Sequence, residues 1–298
     1  MRGVPLLFAL SPVLLATLAA GVGDNDGPPA WRFRKDDRPV KVVVLAGSVG
    51  AYQKRPYHER LEEVCSAIEV QNLSKTGLGV FALKQRFKQQ VLANSAVKPK
   101  TEGQEHWVLM AAGVNNLYAP ESANLHLENI FALAHDKGYR TVALTPTPWG
   151  SADAKQHQGL EGLSRRDATQ LVTDFVMGRL DAVTAFGAKA AARPEVAVDL
   201  YDSPLRDSAA EIGDVTKMRA ALLADRRWAK AHAGDDGATR ALVLEADAQR
   251  AAAVPQWFMK AALRGFDGVH PNSDGHRIVA QVVCPQLPAN WSCDCAKL

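Results

Sequence analysis

The segment VKVVVLAGS, residues 40 to 48, constrains the fold more than any other. Val40, Val42, Val43, Val44 and Leu45 form a nearly unbroken apolar run, lacking the polar alternation of a strand wetted on one face. Such a run belongs to a strand covered on both sides. The Gly-Ser-Val-Gly that follows turns the chain into the helical spacing of YHERLEEVCSAI. The pattern then repeats. EVQNLS reads as a short strand, VFALKQRFKQQVLAN as an amphipathic helix, and HWVLMAAG as a buried strand. LHLENIFALAHDKG is a helix stopped by Gly138, YRTVALTPTP a strand ended by prolines, TQLVTDFVMGRLDAVTAFGAKA a helix and EVAVDLYD a fifth strand. Strands alternating with helices need crossover connections, which build a parallel sheet with helices on both faces. The expected fold is α/β: a flavodoxin-like three-layer α/β/α sandwich around a parallel five-stranded sheet.

After Asp207 the pattern changes to an Ala-, Arg- and Asp-rich helical region reaching about residue 264. Within it, MRAALLADRRWAKAHA sets apolar residues at helical spacing opposite a charged face. SDGHRIVAQVV makes a last helix. Residues 40–298 therefore read as one domain with a helical insertion at about 207–264 and a Cys-containing C-terminal tail.

Ahead of the domain, Met1 and Arg2 precede VPLLFALSPVLLATLAAGVG, an apolar run broken by Pro12 and ending in small residues. One early cation, a short apolar core and a small-residue exit make residues 1–22 an export signal. The run barely reaches the ~20 residues a membrane helix needs and has no basic stop after it, so no stable span is expected once the signal is cleaved. Residues 23–39, rich in Gly, Pro and charge, read as an extended leader. The expected location is secreted or periplasmic. An even set of four cysteines (Cys65, Cys284, Cys293 and Cys295) then suggests disulfides, with three possible full pairings. Cys293 and Cys295 lie too close for an easy mutual bridge, which favours longer pairings. A zinc site would need ligand spacings that these residues do not show. A formal net charge of +3 without any Lys/Arg run argues against a nucleic-acid partner.

Ligands of open parallel sheets sit at the C-terminal ends of the strands. Polar loops fall there: Gly47-Ser48-Val49-Gly50 after the first strand, residues 72 to 79 after the second, and Gly113-Val114-Asn115-Asn116 after the third. DGVHPN, residues 267 to 272, precedes the last helix. Glu69, at the end of the second strand, sits where a ribose-binding acid would, but the Gly-x-Gly-x-x-Gly and P-loop patterns are missing. Asp267, His270 and His276 match no familiar metal-ligand spacing.

Together these blocks resemble the SGNH/GDSL hydrolase superfamily. There a Ser follows the first strand, a Gly the second and a Gly-x-Asn the third, with an Asp-x-x-His near the C-terminus. Here those are Ser48, Gly77, Asn115 and the pair Asp267/His270, over about residues 40 to 285. Two positions depart from the pattern: Gly47 stands where an acid usually precedes the nucleophile, and Asn116 replaces a loop carboxylate. The resemblance implies a serine esterase with the triad Ser48, His270 and Asp267. Its oxyanion hole would come from the backbone N–H groups of Ser48 and Gly77 and the amide of Asn115. The mechanism so implied requires no metal or organic cofactor. The implied partner is a small-molecule, polysaccharide or lipid ester, either a carbohydrate O-acetyl group or a lipid acyl group. An O-acyltransferase using the same triad and a non-catalytic carbohydrate-binding relative are the alternatives. Trp149, Tyr52 and Tyr118 are candidates for lining the substrate site, each equally readable as a packed aromatic.

Overall fold

The computed structural model describes residues 31–99, 103–111, 114–151, 159–180, 192–207, 214–253 and 257–298. The expected signal segment and the 181–190 part of the expected fourth helix lie outside these residues. The apolar run forms β1 (Val40–Ala46), with every residue buried. It leads to α1 (Tyr57–Val64), β2 (Ile68–Asn72), α2 (Val80–Arg86), β3 (Glu105–Ala111), α3 (Pro120–Asp136), β4 (Tyr139–Leu144), α4 (Gly159–Val176) and β5 (Val196–Val198). The five strands pair in parallel in the order β2-β1-β3-β4-β5.

Because β1 and β3 are covered on both faces, their side chains split between two cores. Val43, Leu45, Val108 and Met110 pack with Leu83 of α2, Leu127 and Phe131 of α3, and Val172 and Phe175 of α4. Val42, Val44, Trp107 and Leu109 pack on the other side with Tyr57 and Leu61 of α1. Val279, Ala280 and Val283 of the last helix, α8 (Ser273–Val283), complete that second core. The result is the three-layer α/β/α sandwich with α1 and α8 on one face and α2, α3 and α4 on the other.

Several boundaries differ from the expectation. α4 starts ten residues earlier and ends at Val176, because Gly178 takes a left-handed φ of 71° and the Arg179 N–H turns back to the Asp174 carbonyl. α2 continues into a π-helical stretch at Phe87–Leu92. Among the described residues, the helical insertion expected at about 207–264 holds three separate helices: α5 (Val215–Ala224), α6 (Arg226–Ala231) and α7 (Gly237–Ala253). Asp225 breaks MRAALLADRRWAKAHA by accepting from the Arg227 and Trp228 N–H groups, an N-cap inside an otherwise uninterrupted apolar pattern. Leu222, Trp228, Leu244, Ala248 and Ala251 give the three helices a small core of their own. Short strands β6 (Arg206–Asp207) and β7 (Phe258–Met259) pair antiparallel at the base of this unit.

Glu69 is the second residue of β2, not its last, so it lies at the opposite end of the sheet from Ser48. It is buried with Lys41 in an ion pair of 2.9 Å and accepts the Arg34 and Lys35 N–H groups. That arrangement ties down the described part of the leader: Lys41 also donates to the Lys35 carbonyl, and Trp31 and Phe33 pack against the core. The cysteines form Cys65–Cys293 and Cys284–Cys295, neither of them the short pairing, and anchor the tail to α1 and α8.

Candidate active site

β1 ends at Ala46, and residues 47 to 51 form a tight turn closed by the Ala51 N–H on the Gly47 carbonyl at 3.1 Å. Gly50 has no room for a side chain, since a Cβ there would fall 2.3 Å from Ser74 Oγ. That same Oγ accepts the Ala46 N–H. The turn and the loop after β2 are thus packed together, with Ser48 half-buried between them.

The His270 loop is built from its own sequence. Gly268 adopts φ 71°, its N–H bonds the Gly265 carbonyl, and the Gly265 N–H bonds the His270 carbonyl at 2.7 Å. Asp267 Oδ1 accepts the Val269 and His270 N–H groups at 2.8 and 2.9 Å, an Asx-type turn. Asn272 caps α8 by accepting the Gly275 N–H, while its amide donates to the carbonyls of Ala262 and Arg264. DGVHPN is therefore a rigid turn feeding a capped helix.

These two turns meet. Ser48 Oγ lies 2.5 Å from His270 Nε2, and His270 Nδ1 lies 2.6 Å from Asp267 Oδ2. A carboxylate can only accept, so the neutral ring carries its proton on Nδ1 and leaves Nε2 to accept from the Ser48 hydroxyl. Burial opposes ionisation of Asp267, but the His270 backbone N–H, the imidazole and the Val269 N–H outweigh it and hold the carboxyl below its ordinary value. His270 and Asp267 remain 34% and 37% exposed, so the acid end of the chain is wet.

The oxyanion candidates converge on the same turn. The Asn115 amide lies beside Gly47, 3.5 Å from where a Gly47 Cβ would be, and donates to the Leu78 carbonyl at 3.2 Å. Gly77, next to Leu78, has φ 80°, and a Cβ there would meet nothing within 4 Å. Its need for glycine is thus conformational rather than a matter of space. Both departures from the family pattern have a local reason. A side chain at Gly47 would press on the Leu78 carbonyl at 3.0 Å. Asn116 Oδ1 accepts the Val80 N–H at 2.6 Å, so the amide oxygen holds the start of α2 without a charge.

The aromatic candidates divide. Trp149 is 4% exposed within the core, its ring under the Arg165 guanidinium, and offers a substrate no face. The segment is drawn inward because Gly150 donates to Gly268 and accepts from Arg264, which lock it to the His270 loop. Tyr52 stacks its ring on His276 at 4.4 Å, which occupies it structurally. Tyr118 is 80% exposed, three residues beyond Asn115, and remains accessible. His276, weighed above as a metal partner of Asp267 and His270, is fully buried between Tyr52 and Tyr57. The sequence does not single out His58, which contacts the Ser48 turn from α1 through the Gly50 carbonyl. A lone His on an amphipathic helix carries no signal of its own.

No family model and no curated protein matches the chain. Among solved structures it is similar to an acetyl xylan esterase, with 13% identity over 83% of this chain and all of the other, at a TM-score of 0.46. It is also similar to an acetylxylan esterase from Geobacillus stearothermophilus, with 16% identity over 84% of this chain and 95% of the other, at 0.45. A third likeness is a lipolytic G-D-S-L family member from Veillonella parvula, with 13% identity over 81% and 94%, at 0.45. At such identities the chemistry has to be read from the chain's own atoms.

Proposed function

We propose that the chain is an exported serine esterase acting on carboxylic esters. The observation that carries this is the unbroken line from Ser48 Oγ through His270 Nε2 and Nδ1 to Asp267 Oδ2, with links of 2.5 and 2.6 Å. A serine hydroxyl is a weak nucleophile without a base in hydrogen-bond reach, and His270 is in reach. Ser48 Oγ attacks the ester carbonyl as its proton passes to His270 Nε2, and Asp267 stabilises the imidazolium. The Ser48 and Gly77 N–H groups and the Asn115 amide receive the oxyanion. Collapse of the tetrahedral intermediate breaks the ester C–O bond, and His270 gives its proton to the departing alcohol. A water molecule, deprotonated by His270, then attacks the acyl-enzyme. The carboxylic acid leaves and Ser48 regains its proton.

An imidazole one-third exposed stands at the surface, where an acyl group displayed on a bulky alcohol reaches it. This favours a carbohydrate O-acetyl ester over a long lipid acyl chain. Two disulfides support an oxidising compartment, in line with the export signal read from residues 1–22. Among the described residues no helix is long and apolar enough to cross a membrane. The test is hydrolysis of a p-nitrophenyl acyl series by wild type and Ser48→Ala. Turnover of the acetyl ester that disappears in Ser48→Ala supports the reading; turnover that survives the substitution contradicts it.

A further inference from the structure

Ser48 and His270 meet at 2.5 Å although 222 residues separate them, so some element must hold their two turns in register. The structure assigns that task to α1, through His58 acting as a positioning residue for the nucleophile; this rests on the serine esterase reading.

Two residues beyond Ser48, the Gly50 carbonyl points into the protein and accepts from His58 Nε2 at 3.1 Å and from Asn72 Nδ2 at 2.9 Å. A carbonyl can only accept, so the His58 proton sits on Nε2. Asn72 is exposed and its bond competes with water, whereas His58 is 2% exposed. His58 Nδ1 is buried with no partner among the described residues. Leaving a buried ring nitrogen unbonded is unfavourable, and an apolar residue would fill this helix face without that cost. Among the described residues, the one polar contact the ring makes is to the nucleophile turn. Burial pushes the His58 ring below its ordinary value against the opposing effect of the Gly50 bond, which keeps it neutral.

The opposite side of α1 holds the element that carries the base. Arg60 Nη2 donates to the Ser273 carbonyl and hydroxyl at 3.1 and 3.0 Å, at the start of α8 and three residues after His270. Tyr57 of α1 and Tyr52 of the segment after the nucleophile turn both stack on one ring, that of His276 in α8. One helix thus touches the Gly50 carbonyl on one side and α8 on the other, and its position sets the Oγ to Nε2 distance. A displacement of about 1 Å at such a contact costs on the order of a hundredfold in rate.

The experiment compares His58→Leu, His58→Gln and His58→Asn with wild type. kcat is taken per Ser48 titrated to completion with a fluorophosphonate, so that a lowered folded fraction does not register. His58→Leu is expected to lower kcat about ten- to a hundredfold, to leave KM within about twofold, and to slow phosphonylation of Ser48. Gln Nε2 reaches the place of the imidazole Nε2 and restores most of kcat; Asn, one carbon shorter, does not. Should His58→Leu not fold, the Gln and Asn variants, checked by near-ultraviolet circular dichroism, carry the same comparison. An active wild type with unchanged kcat in His58→Leu, or equal kcat in Gln and Asn, overturns the positioning role alone. A wild type inert to both ester and phosphonate overturns the esterase reading and this inference with it.

Discussion

The two carboxylate oxygens of Asp267 have separate tasks. Oδ2 holds the His270 ring, and Oδ1 accepts the two N–H groups that shape the turn. Asp267→Ala removes both, yet the side chain is 37% exposed and water can take over part of the work. kcat should therefore fall by about a hundredfold, at the low end of the 10²–10⁴ that acid–base groups contribute, as measured by steady-state ester hydrolysis. A loss smaller than tenfold would mean that the imidazole is oriented by something else. At this scale the closeness of Asp267 and His270 was legible in the sequence because they sit three residues apart in a turn that Gly268 and Pro271 announce. Trp149 and Tyr52 were not, since the direction of an aromatic ring is decided by partners far away in the chain, here Gly268 and His276. Glu69 opens EVQNLS and is the second residue of β2, so a parallel strand carries it to the end of the sheet away from Ser48, not to the ligand end expected for a ribose-binding acid.

The start of α2 depends on another element. Asn116, buried after β3, accepts the Val80 N–H with its amide oxygen, and Gly79 fits under it only because it has no Cβ, which would fall 2.5 Å from that oxygen. Asn116→Ala should lower the unfolding free energy by about 1–3 kcal/mol in a urea titration, the usual consequence of a buried donor left unpaired. Asn116→Asp keeps an acceptor at the same place and should cost less. Equal losses in the two variants would show that the oxygen is not what matters. The five strands of the parallel sheet and the helices between them were read correctly in kind and order, because burial on both faces and helical spacing are local patterns, whereas the short strand β7 lies inside the stretch expected to be helical. Their ends were read less well. The capping Asp225 looks like any surface acid until the chain turns there, and Gly178 ends α4 where the apolar spacing continues unbroken.

Across the molecule, the layer between sheet and solvent that carries α1 and α8 contains a buried histidine whose burial, reinforced by the neighbouring His58, pushes it from 6.5 down to about 3. The sign follows from proton linkage: between those values the unfolded chain binds a proton that the folded protein refuses, so stability rises with pH. His276 thus costs nothing above about pH 6.5 and destabilises progressively as the pH falls toward 3. Above about pH 5 the carboxylates held low, such as Asp267, contribute little to this slope, but burial raises Glu59 and Asp167, so in the window from 6.5 to 5 the imidazole is isolated by comparison with a variant that lacks it alone. Replacing His276 by Phe keeps an aromatic ring in the stack. Wild type should lose up to about 1.4 kcal/mol per pH unit more than His276→Phe across that window in urea titrations. Identical pH profiles would mean that the ring is protonated as easily folded as unfolded.

The whole arrangement exists to bring one hydroxyl against one imidazole, and the adduct formed with a fluorophosphonate reports that contact directly. Tryptic mass spectrometry of treated, folded protein should find the phosphonyl group on Ser48, and His270→Ala should abolish the modification. Labelling of a different serine, or none at all on folded wild type, would contradict the account.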